Sequence, residues 1–203
     1  MTAPFRSCLL SGGASRRMGR DKALLPHPDG GTWLERSLAL LLTLGQPVTL
    51  LSRHDRHREL AHALADRAGF ALTAIAEPPP WEGPLLALAR LMERHPSERL
   101  LLCPVDMPWL DGASLRALVA AAAAPIHLAH DGQRLQPLLG LYPATGDRRR
   151  RLQAHLATGE RRLLGWLAGE TWVPVHLPAG PLRNVNRPEE LGSSLRPSPA
   201  LGP

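Results

Sequence analysis

Aromatic residues are scarce in this chain, 4% of 203 positions, so it has little stock for the stacking platforms on which proteins hold single-stranded nucleic acid. No zinc-finger spacing is present either. Cysteine occurs only at Cys8 and Cys103, each inside an apolar, strand-like run, a pattern that favours buried reduced thiols over a disulfide framework or a metal site. No hydrophobic run reaches the roughly 20 residues needed to span a bilayer; the stretches 38–44 and 100–103 are too short. The opening MTAPFRSCLLSGG lacks the long apolar segment of a signal peptide. A cytoplasmic protein without a membrane or nucleic-acid partner is the expectation.

Lysine is scarcer still. Of 24 Lys plus Arg residues, one is lysine, Lys22. Arginine offers a planar fork, whereas lysine is a compact, strongly hydrated charge on a flexible stem, so the two are not equivalent where one small group must reach between phosphate oxygens. Asparagine occurs only at Asn184 and Asn186, together in RNVNRPEEL.

What is present reads as a globular enzyme. Hydrophobic residues make up 44% and charged residues 21%, as in soluble domains, and the length suits one domain, taken as 1–192 with a disordered tail over 193–203. A formal charge of +6 suits an anionic partner, and with aromatics so few a phosphorylated small molecule is the better candidate than a polynucleotide.

The stretch CLLSGGASRRMGRDKALL, residues 8–25, organises the rest. An apolar run ending in Gly12 and Gly13 reads as a buried strand opening into a loop whose backbone can approach a ligand closely. Its N–H groups form an anion cradle, with Arg16, Arg17, Arg20 and Lys22 around it. The loop is neither a Walker A sequence nor a Rossmann GxGxxG. Its offsets fit capture of a nucleotide triphosphate tail by the backbone, Arg17 and Lys22; Asp21 reads as orienting Lys22 or the loop.

Further strands are expected over 5–11, 47–52, 70–76 and 99–103, alternating with helices over 33–45, 53–69, 84–94 and 114–124, the first capped by Thr32. Two strands, IHLAH and LQPLLGLYP, join through a hairpin at Asp131 and Gly132. Helices over 146–157 and 161–168, a strand TWVPVHL, and a helical turn entered at Pro188 complete the chain. The alternation implies a three-layer α/β domain with a mostly parallel sheet and one antiparallel hairpin.

Two loops follow strand ends, where ligands of open α/β sheets bind. The first is EPPPWEGPL, too proline-rich to continue the sheet. The second is PVDMPWL, which places Asp106 over the same sheet edge as the glycine loop. One such carboxylate beside phosphate oxygens suits Mg²⁺. His54, His57 and His62 read as residues of a helix without a metal; 54 and 57 are expected on its solvated face, and no acidic or thiol partner completes a tetrahedral set. For Asn184 and Asn186 a role at the site and local turn bonding are equally open. No Ser–His–Asp triad or cysteine nucleophile is evident.

With these residues stated, a resemblance emerges. LLSGGASRRMGRDKALL is similar to the signature loop of the molybdenum cofactor guanylyltransferases, the MobA family of nucleotidyltransferases. Gly83-Pro84-Leu85, Cys103-Pro104-Val105-Asp106-Met107-Pro108, Gly159-Glu160-Arg161-Arg162 and the NVN-x-PEEL ending resemble the family's later landmarks in order, over roughly residues 5 to 192. The resemblance implies a Rossmann-like nucleotidyltransferase fold and Mg²⁺-dependent transfer of GMP from GTP to the terminal phosphate of molybdopterin, with release of pyrophosphate. It assigns nucleotide contacts to Leu10, Ser11, Gly12, Gly13, Lys22, Ser52, Glu77, Gly83 and Asp106, and catalysis to Lys22, Arg17 and Asp106, with Asp106 also holding the metal. The pterin side falls to Asn184, Asn186 and Arg161, with Arg162 beside it. Ser52 and Glu77 stand where asparagine and aspartate are expected, and Ser11 replaces the usual alanine. Partners are GTP and molybdopterin, with proteins that deliver the cofactor or mature molybdoenzymes. The rivals are a related enzyme using CTP or another small phosphorylated acceptor, and a non-catalytic nucleotide or cofactor carrier.

Overall fold

Short apolar runs closed by glycine, proline or serine become the strands of a single seven-stranded sheet. A computed structural model describes residues 4–13, 19–68, 71–120, 125–186 and 190. In chain order the strands are β1 (Arg6–Leu10), β2 (Val48–Ser52), β3 (Leu72–Ala76), β4 (Arg99–Pro104), β5 (Ile126–His130), β6 (Leu135–Pro143) and β7 (Trp172–His176). The helices are α1 (Trp33–Leu42), α2 (Asp55–Ala68), α3 (Pro84–Arg94), α4 (Gly112–Val119), α5 (Gly146–Ala157) and α6 (Leu163–Leu167). Strand order is β3-β2-β1-β4-β6-β5-β7. β1 pairs in parallel with β2 and β4, and β2 with β3; β6 runs against both β4 and β5, while β7 is parallel to β5. The expected hairpin is present, with Asp131 N–H donating to the Arg134 carbonyl across its turn, and its second strand inserts between β4 and β5.

Because side chains alternate along a strand, neighbouring residues serve opposite faces. Leu9, Leu50, Leu101 and Cys103 join one core with α1, α2 and α4, whereas Cys8, Leu51, Leu100 and Leu102 join the other with α3, α5 and α6. Each fully buried leucine contributes about 1.5–3 kcal/mol, so β4, buried at all its residues, anchors both layers. Cys8 and Cys103 are buried and unpaired. Burial, assisted by the nearby Asp106 carboxylate, pushes the Cys103 thiol up to about 12, which keeps it protonated and inert.

Local chemistry explains the helix ends. Thr32 caps α1 and forms a reciprocal capping box with Glu35, as the sequence suggests. Gly83, with φ +97°, turns the chain so that Pro84 opens α3. Several boundaries differ from expectation, α1 ending at Leu42 and α2 starting at Asp55 among them, and two have a plain local cause. Asp111, whose side chain accepts from Ser114 N–H, starts α4 at Gly112, two residues early. Glu160 Oε1 accepts from the N–H groups of Arg161 and Arg162, which delays α6 to Leu163. The turn entered at Pro188 and the tail 193–203 lie outside the described residues, Glu190 apart. No helix among the described residues is long and apolar enough to cross a membrane.

Candidate active site

Four parallel strands point their carboxyl ends at one edge of the sheet, so four loops meet there: those after β1, β2, β3 and β4. A cleft of about 330 Å³ opens between them, lined in part by Leu10, Gly12, Gly13, Lys22, Glu77, Gly83 and Asp106. These are seven of the residues expected from sequence. Leu138, near the start of the antiparallel β6, closes the side wall.

At the floor, Lys22 Nζ lies 2.8 Å from Asp106 Oδ2 and 3.3 Å from Asn186 Oδ1. Residues 84 and 164 positions apart in sequence thus meet at one ammonium. The Val185 N–H donates to the Asp106 carbonyl at 2.9 Å, and Asn184 Nδ2 donates to Gln136 Oε1 at 3.0 Å. These bonds stitch the segment 184–186 against the loop that carries Asp106 and against β6. Asp106 Oδ1 is buried and makes no hydrogen bond among the described residues. Leaving a buried carboxylate oxygen unmatched is costly, and such an atom fits a ligand position for a hard cation.

Glu77 stands at the end of β3, its Oε1 accepting from Arg90 at 3.1 Å. Burial raises its pKa, and the Arg90 guanidinium opposes the rise. A Cβ on Gly12 would sit 2.5 Å from Glu77 Oε2, so a larger residue there would have to displace this carboxylate. Above it Trp81 Nε1 donates to the Glu77 carbonyl. The Trp81 ring is 52% exposed, and the Arg53 guanidinium lies 5.2 Å from its centroid. Arg53 and Trp81 both line the cleft, and sequence reasoning singled out neither. A tryptophan just past a strand end, in a chain so poor in aromatics, was the available signal; one arginine among 23 carries none.

A hydrogen-bonded row runs beneath the first loop. His57 Nδ1 lies 3.0 Å from both Ser11 Oγ and Ser52 Oγ, and its Nε2 lies 2.8 Å from Asp21 Oδ2. The expectation that His57 sits on a solvated helix face is therefore wrong: it is 1% exposed, on the side of α2 that packs against β2 and β3, and its ring reaches Ser11 and Ser52. His62 is exposed. The row contains Ser, His and Asp, yet Ser11 and Ser52 are buried, so it offers no accessible nucleophile.

Residues 7–171 match the model of the MobA-like NTP transferase domain. The chain belongs to that family. It is 35% identical to a Rhodopirellula baltica protein named "Probable molybdenum cofactor guanylyltransferase", over 93% of this chain and 90% of the relative. Among solved structures, a nucleotidyl transferase from Methanothermobacter superposes with a TM-score of 0.73 at 18% identity, over 93% of this chain and 94% of that one. The molybdopterin-guanine dinucleotide biosynthesis protein A of Archaeoglobus fulgidus gives 0.67 at 19% identity, over 93% and 95%. Those two similarities establish the nucleotidyltransferase fold.

Within this MobA-like domain not every expected contact reaches the cleft. Ser52 is fully buried, its hydroxyl committed to His57 and to the His54 N–H, and Ser11 is covered likewise; neither is among the residues that line the cleft. Arg161 is held by Glu82 and by the Leu156 carbonyl, outside the cleft lining, and Arg162 pairs with Glu160. Arg17 lies outside the described residues, with Arg16.

Proposed function

We propose that this chain is a molybdenum cofactor guanylyltransferase, joining GMP from GTP to the terminal phosphate of molybdopterin and releasing pyrophosphate. The observation that carries the reading is the meeting of Lys22 and Asp106 on the cleft floor, beneath a glycine loop, in a MobA-like domain. The chemistry needs no protein nucleophile, because the acceptor phosphate supplies the attacking oxygen. What it needs is suppression of repulsion between two anions and stabilisation of the charge that grows on the leaving pyrophosphate.

The chain's residues divide that work. Gly12 and Gly13 present backbone N–H groups to the triphosphate. Lys22, the compact cation at the loop's end, moves from the Asp106 carboxylate to the β- and γ-phosphate oxygens when nucleotide enters, and Arg17 adds charge there. Asp106 then faces phosphate with both oxygens unengaged by lysine. The unmatched Oδ1 fits Mg²⁺, which Asp106 would hold; when bound, the ion neutralises phosphate charge during transfer. Asn186, released by Lys22, remains beside the carboxylate to orient it or the acceptor. Glu77, Arg53 and Trp81 form the upper wall and receive the base, the indole giving a stacking face and the carboxylate an acceptor for guanine N–H groups.

Pyrophosphate release measured with GTP, Mg²⁺ and molybdopterin tests the reading. Turnover requiring all three is expected. Faster turnover with CTP than with GTP would replace guanylyl by cytidylyl transfer, and GTP binding without turnover would make the chain a carrier.

A further inference from the structure

We infer that His57 is a positioning residue for the transfer reaction: it clamps both ends of the glycine loop and, through Asp21, fixes where Lys22 stands. This inference rests on the guanylyl-transfer reading of the cleft.

The geometry assigns the protons. A carboxylate only accepts, so His57 Nε2 carries the hydrogen given to Asp21 Oδ2 at 2.8 Å. In the neutral ring Nδ1 is then an acceptor, placed 3.0 Å from the hydroxyls of Ser11, at the loop's entrance, and Ser52, at the end of β2. Asp21 closes the loop's exit. Its other oxygen, Oδ1, accepts from the Ala23 N–H and so caps the helical turn Lys22–Leu24. Lys22 leaves from the first residue of that turn toward Asp106. One buried imidazole on α2 therefore links the two ends of a loop that spans residues 11 to 21, and the second link is one residue from the ammonium.

A ligand-gripping loop gains from such a clamp because glycine-rich backbone loses more conformational freedom on ordering than any other. Holding its ends before substrate arrives lowers the entropy still to be lost on binding and in the transition state. The effect should fall mainly on the chemical step. The departing pyrophosphate gains charge as the bond breaks, so a displaced Lys22 loses more interaction in the transition state than in bound GTP.

Two substitutions separate the halves of the clamp. In His57→Gln the side-chain amide reaches the place of Nε2 and still donates to Asp21; in His57→Asn it reaches only the place of Nδ1, and Asp21 is left unheld. We expect His57→Asn to lower kcat by about ten- to a hundredfold, the scale of a small misplacement of a catalytic group, with KM for GTP changed less than about threefold. His57→Gln should return kcat to within about threefold of the parent. Asp21→Asn should reproduce the kcat loss, and it carries the test alone if His57→Asn does not fold; where both fold, combining them should add little, as for residues acting in one chain. Equal losses in the Gln and Asn variants that track lowered thermal stability would make His57 a structural residue and overturn the inference. So would an active His57→Asn, or additive losses with Asp21→Asn. If the parent enzyme itself shows no GTP turnover with molybdopterin, it is the function that fails.

Discussion

Two carboxylates, one in each half of the sheet, are treated in opposite ways. In the β6-β5-β7 half, the Glu170 side chain is 2% exposed and fully matched: Oε1 accepts from Arg151 Nε at 2.7 Å, and Oε2 from Arg148 at 3.1 Å and Arg151 at 2.8 Å. In the β3-β2-β1-β4 half, Asp106 has one oxygen on the sole lysine and the other buried without a hydrogen bond among the described residues. A buried charge whose hydrogen-bonding capacity is filled holds structure together. One left partly empty at the edge of a sheet marks a place built for something not yet bound.

The comparison breaks if the two residues fail the same way. Asp106→Asn keeps the shape but removes charge, and turnover should fall on the order of 10²–10³-fold, as when a group aimed at developing charge is lost. Lys22→Ala should fall comparably. Thermal midpoints read by calorimetry should move little in either. Glu170→Ala should do the reverse, leaving kcat unchanged and lowering stability by about 2–3 kcal/mol, less than for a deeply buried pair because Arg151 is half exposed to solvent. Chemical denaturation followed by circular dichroism would measure it.

Two smaller effects sharpen the contrast. Trp81→Ala should raise KM for GTP about fivefold with kcat nearly unchanged, since base–aromatic stacking is worth about 1–3 kcal/mol and this ring is open to solvent on one side. The other concerns pH. Burial lowers the pKa of His57 in the site half, and of His95 and His127 elsewhere, below the ordinary 6.5. The unfolded chain therefore binds protons that the native state refuses, so stability present above pH 6.5 should be lost as pH falls through that value toward the folded pKa values. Glu77, raised above 4.5 by burial, works in the opposite sense at lower pH. Melting midpoints across pH 5 to 8 should show the loss, and His57→Gln should make the slope shallower.

Much of this was legible in the residues because it was local or repeated. Apolar runs gave β1, β2 and β4 to within a residue or so, Thr32 marked the start of α1, and α3 and α5 have the expected bounds. Lys22 and Asp106 were found because each follows a buried strand of a parallel sheet, whose ends converge by topology alone. Non-local partners left no such trace. Nothing in RHDRHRELAHAL says that His57 turns inward, since that depends on how α2 packs against β2 and β3. The family resemblance assigned Ser52 to the nucleotide, and its hydroxyl is already bonded to His57, a partner that the resemblance does not disclose. Arg161 met Glu82, 79 residues distant, a pairing that chain position does not disclose.

The account turns on a polyanion reaching Lys22 and Asp106 together, and a crystal soaked with GTP and Mn²⁺ would test it most directly. Mn²⁺ anomalous scattering is expected beside Asp106, with Lys22 transferred from that carboxylate to the β- and γ-phosphates. A triphosphate bound away from the glycine loop, or a manganese peak distant from Asp106, would contradict it.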